Sequence, residues 1–113
     1  MIFFFLIFTL YIVKIYTIKN MTEKFKNLLV NKITQWENNG RITIGVENVK
    51  GHRTLMDFDF DSLDLVELIM DLECEYNITI EDEEIITQFN DIYAVPLDKI
   101  CNFVETKYKN KKI

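Results

Sequence analysis

The residues with the most chemistry to offer run Asp61-Ser62-Leu63-Asp64-Leu65-Val66-Glu67-Leu68. They place one serine hydroxyl in the first turn of an expected helix, within a field of carboxylates. Between Leu55 and Asp98 there is no Lys or Arg, whereas fourteen of the eighteen Asp and Glu residues fall there. Serine catalysis needs a neighbouring base. The only histidine, His52, lies upstream in an expected loop with no partner in the sequence, so Ser62 is not expected to be a catalyst on its own. Its hydroxyl reads instead as a site that another protein modifies, on a surface that basic partners recognise. The plainer alternative is that Asp61 and Ser62 only cap a helix, since their side-chain oxygens accept its free N–H groups.

Other chemistry is poorly supported. Asp57-x-Asp59-x-Asp61 begins like a calcium loop, but the glycine and the closing glutamate of such a loop are replaced by Ser62 and Leu68. No metal site is expected, and there is no glycine-rich phosphate loop. Cys74 and Cys101 are too few and too far apart for a disulfide framework or a zinc site. Both read as reduced thiols, with Cys101 buried, which suits a cytoplasmic protein.

The chain has 113 residues, room for one small domain. With 49% apolar residues it is too hydrophobic for disorder, and one Pro and three Gly are too few for an all-β fold with many turns. Residues 1–20 hold Lys14 and Lys19 and no acid, so residues 21–113 carry 13 − 2 = 11 basic and 18 acidic side chains, a net of −7. That balance disfavours nucleic acid, whose phosphates require cations. It favours electropositive protein surfaces, reached by long-range steering.

Residues 1–13 are almost wholly apolar before Lys14 interrupts. This segment lacks the basic start and small-residue cleavage site of a signal peptide. Met21-Thr22-Glu23-Lys24 looks like a natural start, so residues 1–20 read as an over-extended frame or a hydrophobic leader. If retained, they would tether the chain to a membrane or target it to an organelle. Residues 21–113 are the expected domain.

Four helices are expected to position the serine. The first begins after Thr22, carries Phe25, Leu28, Leu29, Ile33 and Trp36 on one stripe, and stops at Asn38-Asn39-Gly40. A long connection follows. Ile42, Ile44 and Val46 alternate as in a strand, but no second strand is evident, so residues 41–60 read as an extended loop that drops Val46, Val49, Leu55, Phe58 and Phe60 onto the core. The second helix starts at Ser62, with Leu65, Leu68, Ile69, Leu72 and Tyr76 on its core face. A second stripe of Leu63, Val66 and Met70 lies among carboxylates. One apolar stripe is enough to join a core, so the second reads as a binding surface, the alternative being that it covers other parts of the core. Asn77 ends this helix, and a short third helix follows Glu81-Asp82-Glu83-Glu84. Pro96 precedes the last, which carries Leu97, Ile100, Cys101, Val104 and Tyr108 and ends in Lys107, Lys109, Lys111 and Lys112.

The run from Phe58 to Ile80 closely resembles the acyl carrier protein family, whose signature is Leu-Gly-x-Asp-Ser-Leu-Asp, then Val-Glu-Leu, a Met or Leu, a Glu-rich turn, an aromatic and a closing Ile. Asp61, Ser62, Leu63, Asp64, Val66, Glu67, Leu68, Met70, Glu73, Tyr76 and Ile80 match it in register. The resemblance implies an all-α, acyl-carrier-like four-helix bundle. It also implies that Ser62, flanked by Asp61, carries covalent 4′-phosphopantetheine, transferred from coenzyme A by a phosphopantetheinyl transferase. The chain would then be a discrete, monomeric carrier rather than an enzyme. It would hold acyl groups as thioesters in fatty acid, related lipid or polyketide biosynthesis. Asp61, Asp64, Glu67 and Glu73 would meet basic surfaces of acyl-transferring, condensing or ligase enzymes, with Leu63, Val66 and Met70 as apolar contacts. Asp59 stands where the family has glycine, Phe60 where a small residue is usual, and Glu81 where proline often follows the closing Ile. The stretch Phe89 to Ile100, with Tyr93 in the aromatic place, is similar to the tail of D-alanyl carrier proteins, so an aminoacyl cargo is the alternative. A different alternative is a carrier-like structural or regulatory adaptor that is never modified.

Overall fold

Residues 21–111 are described by the computed structural model, and the leader expected over residues 1–20 lies outside them. Helix α1 spans Glu23–Asn38. Thr22 is its N-cap, accepting the Phe25 N–H, and Gly40 follows its C-terminus at φ 88°, a backbone angle that glycine adopts without steric cost. Phe25, Leu29 and Ile33 recur every four residues and are buried.

The connection from residue 39 to residue 61 holds two 3-10 turns, Val46–Asn48 and Met56–Phe58. It drops Val49, Leu55, Phe58 and Phe60 into the core and packs Val46 against it. The alternation at Ile42 and Ile44 does not become a strand: Ile42 is 90% exposed and both side chains stand off the core. Backbone bonds tie the loop down instead. The carbonyls of Arg53 and Gly51 accept the N–H groups of Leu97 (2.8 Å) and Asp98 (3.0 Å). These donors open the last helix and have no partner within it.

Helix α2 spans Ser62–Tyr76, α3 Asp82–Phe89 and α4 Leu97–Lys111. Leu68, Leu72 and Tyr76 of α2 and Leu97, Ile100, Cys101 and Val104 of α4 complete the core begun by α1. Asn77 ends α2 in the left-handed conformation, which Asn tolerates better than most residues. Short α3 has no fully buried residue. It leans on α4 through the Phe89–Phe103 ring pair at 5.3 Å and the Lys107–Glu84 ion pair at 2.6 Å. The domain is therefore the all-α four-helix bundle anticipated, with the long first connection and the short third helix.

One carboxylate gathers three helices. Glu105 Oε2 accepts the Tyr76 hydroxyl at 2.6 Å and the Thr22 hydroxyl at 3.1 Å, and Thr22 Oγ1 lies 3.7 Å from Cys101 Sγ. Burial pushes the Tyr76 phenol well up, helped by Glu105, and burial also raises the Cys101 thiol.

Candidate functional site

The chain reaches Ser62 through a tight sequence of backbone states. After the Met56–Phe58 turn, Asp59 is left-handed (φ 58°, ψ 42°), Phe60 is buried, and Asp61 is extended as the N-cap of α2. Asp59 occupies the place of the family's glycine, and its positive φ explains why glycine suits that place. Asp is among the few other residues that tolerate it. The cap belongs to Asp61, whose Oδ1 accepts the Asp64 N–H at 2.8 Å, while Asp64 Oδ2 accepts the Asp61 N–H at 3.0 Å. This reciprocal box satisfies two free donors. Capping is thus accomplished without Ser62, which stands exposed as the first residue of the helix.

Arg41, from the loop after α1, braces this turn. Its Nη1 donates to Asp64 Oδ1 (3.1 Å), and its Nη2 donates to Asp64 Oδ2 (2.7 Å) and to the Asp59 carbonyl (2.6 Å). The guanidinium lies 3.7 Å from the centroid of the Trp36 ring, and Trp36 meets Phe60 edge-on at 4.9 Å. The Arg41 hydrogen bonds hold the Asp64 carboxyl below the usual carboxylate range, against the opposing effect of burial.

That shift has a definite sign. With its folded pKa depressed, Asp64 contributes stability that is complete above the unfolded value of about 3.9. The contribution is lost as pH falls through the folded value. Glu84, lowered by its bond to Lys107, behaves in the same sense. Urea titrations between pH 2 and 7 should therefore show Asp64→Asn less stable than the parent at pH 7 but losing less stability on acidification. Glu84 would contribute to the slope that remains.

Beside Ser62 lies a shallow depression of about 400 Å³, lined by Met56, Phe60 and Tyr93 together with Asp59, Asp61 and Asp91. Leu63, Val66 and Met70 are 72%, 54% and 60% exposed, so the second stripe of α2 does not serve the core. Glu67 and Asp71 flank it, and Lys32 of α1 reaches them at 3.8 Å and 2.8 Å with its own side chain 9% exposed. The surface that is free of Lys and Arg in sequence thus receives two cations in space, Lys32 and Arg41. Neither was singled out by the sequence, because both lie outside the acidic stretch.

Two of the carboxylates expected to face partners point inward. Asp64 is only 7% exposed and holds both Asp61 and Arg41. Glu73 is half-buried and accepts the Ile80 N–H at 2.9 Å, pinning the chain after α2. Asp64 thus offers a partner little surface, whereas Glu73 remains half-exposed. His52 lines a different depression with Met21, Glu23, Lys26, Lys50 and Asp98, and nothing places it with Ser62.

Residues 41–95 match the family model described as the phosphopantetheine attachment site. That match, on a four-helix bundle, supports a phosphopantetheine-carrying, acyl-carrier-like family for the chain. A domain of this family is where 4′-phosphopantetheine is attached covalently, and such domains are generally carriers that interact with a phosphopantetheinyl transferase and partner enzymes. Comparisons with curated proteins and with solved structures gave no match. Among the described residues no helix is long and apolar enough to cross a membrane.

Proposed function

We propose that this chain is a discrete acyl carrier protein whose 4′-phosphopantetheine is attached at Ser62. The observation that carries the reading is an exposed hydroxyl at the first position of a helix already capped by its neighbour, within the segment that matches the attachment-site family. The surroundings fit the group. A phosphodiester is favoured by the free N–H groups and positive end of a helix N-terminus. The Met56, Phe60 and Tyr93 side chains offer an apolar wall beside it. Bound there, the group would supply the thiol that holds cargo as a thioester.

Attachment needs only a nucleophile from this chain. Ser62 Oγ bonds to the pantetheine-bearing phosphorus of coenzyme A, the bridging P–O bond breaks, and adenosine 3′,5′-bisphosphate leaves. The hydroxyl proton passes to a base on the transferase, which also binds Mg²⁺. Leu63, Val66, Glu67 and Met70 form the surface that meets partner enzymes, with Asp71 beside them. The cargo is an acyl intermediate of fatty acid or related lipid or polyketide synthesis. The likeness of the stretch Phe89 to Ile100 to the tail of D-alanyl carrier proteins keeps an aminoacyl cargo as a second reading, and loading by an adenylating ligase rather than acceptance of malonyl groups would select it. Two free cysteines, one of them exposed, suit a reducing compartment such as the cytoplasm.

Intact-mass measurement tests the attachment. The full chain, incubated with coenzyme A, Mg²⁺ and a broad-specificity transferase, should gain one phosphopantetheine, and Ser62→Ala should gain none while keeping its helix content. An unmodified parent beside a modified control carrier would leave the adaptor reading in its place.

A further inference from the structure

We propose that Arg41 is a positioning residue for attachment at Ser62, holding the turn before α2 so that the hydroxyl is presented in one orientation. This rests on the reading of Ser62 as the attachment residue. The three residues before Ser62 have little regular structure of their own: a left-handed Asp59, a buried Phe60 and an extended cap at Asp61. Arg41 grips the chain on both sides of Ser62 at once, the Asp59 carbonyl at 2.6 Å before it and the Asp64 carboxylate after it through two bonds of 3.1 and 2.7 Å. Trp36 closes the brace, its ring stacked on the guanidinium and edge-on to Phe60. Two of the three positions where the chain departs from the family's pattern, Asp59 and Phe60, are thus among those that Arg41 and Trp36 touch.

A planar fork is what this geometry requires. Lysine carries the same charge but cannot make two parallel bonds to a carboxylate while stacking on an indole. The charge has a second effect. An incoming phosphate must approach a helix end where Asp61 and Asp64 stand within one turn, and Arg41 offsets the charge of Asp64. A misplacement of about 1 Å caused by a change remote from the reacting atoms can cost roughly a hundredfold in rate.

The test compares transferase kinetics on the full-length parent, Arg41→Ala, Arg41→Lys and Tyr76→Phe, at a temperature where all four are folded. Tyr76→Phe removes the bond to Glu105 at the far end of α2 and serves as a destabilised control. Both Arg41 variants should lose roughly ten- to a hundredfold in kcat with KM changed far less, and Tyr76→Phe should load like the parent. Before any loading, amide exchange at residues 60–65 should be faster in both Arg41 variants and unchanged in Tyr76→Phe. Parent-like kcat in Arg41→Ala, or full rescue by Arg41→Lys, would overturn the inference and leave the Ser62 reading standing. A parent chain that takes no group while a control carrier does would overturn both.

Discussion

Phe58→Ala should lower the stability of the domain by about 3–5 kcal/mol, the cost of emptying an aromatic site in a core. The size of the effect is unusual for a residue in a connection. Phe58 is 1% exposed and belongs to the same buried cluster as Phe25, Leu72 and Val104. The loop around it has no strand ladder, so it is held by the side chains it buries and by a few backbone bonds to the start of α4. Removing the ring leaves a cavity and frees the turn that leads into Asp59. Since small domains are stable by only about 5–15 kcal/mol, the variant should unfold at a much lower urea concentration with an unchanged slope. A loss under about 1 kcal/mol would mean that the loop is draped over the bundle and not part of its core.

The second large effect falls on function and should spare stability. Replacing Leu63 and Val66 together by Ser removes two exposed apolar side chains from the outer stripe of α2. Neither supports the core, so the folding cost should stay within about 1 kcal/mol, mostly from helix propensity. Against a partner the same groups would be desolvated, and burying an aliphatic side chain is worth about 1.5–3 kcal/mol. The transferase KM for the double variant should therefore rise more than roughly tenfold, which corresponds to about 1.4 kcal/mol. Loading kinetics identical to the parent would show that partners dock elsewhere. Charge-only variants make a useful contrast, because exposed ion pairs are individually weak. Moreover, Glu67 and Asp71 already answer to Lys32.

How far the fold could be read in advance depended on whether the signal was periodic. The two faces of α2 follow helical spacing, and the structure buries Leu68, Leu72 and Tyr76 while exposing Leu63, Val66 and Met70. Phe58 and Phe60 are legible as anchors because they are bulky apolar residues alternating with Asp57, Asp59 and Asp61. Arg41 was not. Its partner lies 23 residues away across an irregular loop, and no local pattern distinguishes it from any other surface cation. Asp64 and Glu73 were read as surface charge because acids on a helix usually face water. The spacing of Asp61 and Asp64, three residues apart at a helix start, was the available sign of a capping box. Glu73 offered no such sign, since its bond to Ile80 depends on how the chain turns after Asn77.

The Glu105 junction bears on the order in which the chain becomes a protein. Thr22 and Glu105 are 83 residues apart, and Tyr76 and Glu105 are 29 apart. Closing the larger loop means ordering nearly the whole domain before the contact is gained, a entropic cost that grows slowly with length but must be met first. During synthesis from the N-terminus, α1 and α2 therefore emerge without the carboxylate that fastens them. Only when the last helix has left the ribosome can the bundle be locked shut, so a nascent chain stalled before residue 105 would present the Ser62 helix on an unfinished scaffold.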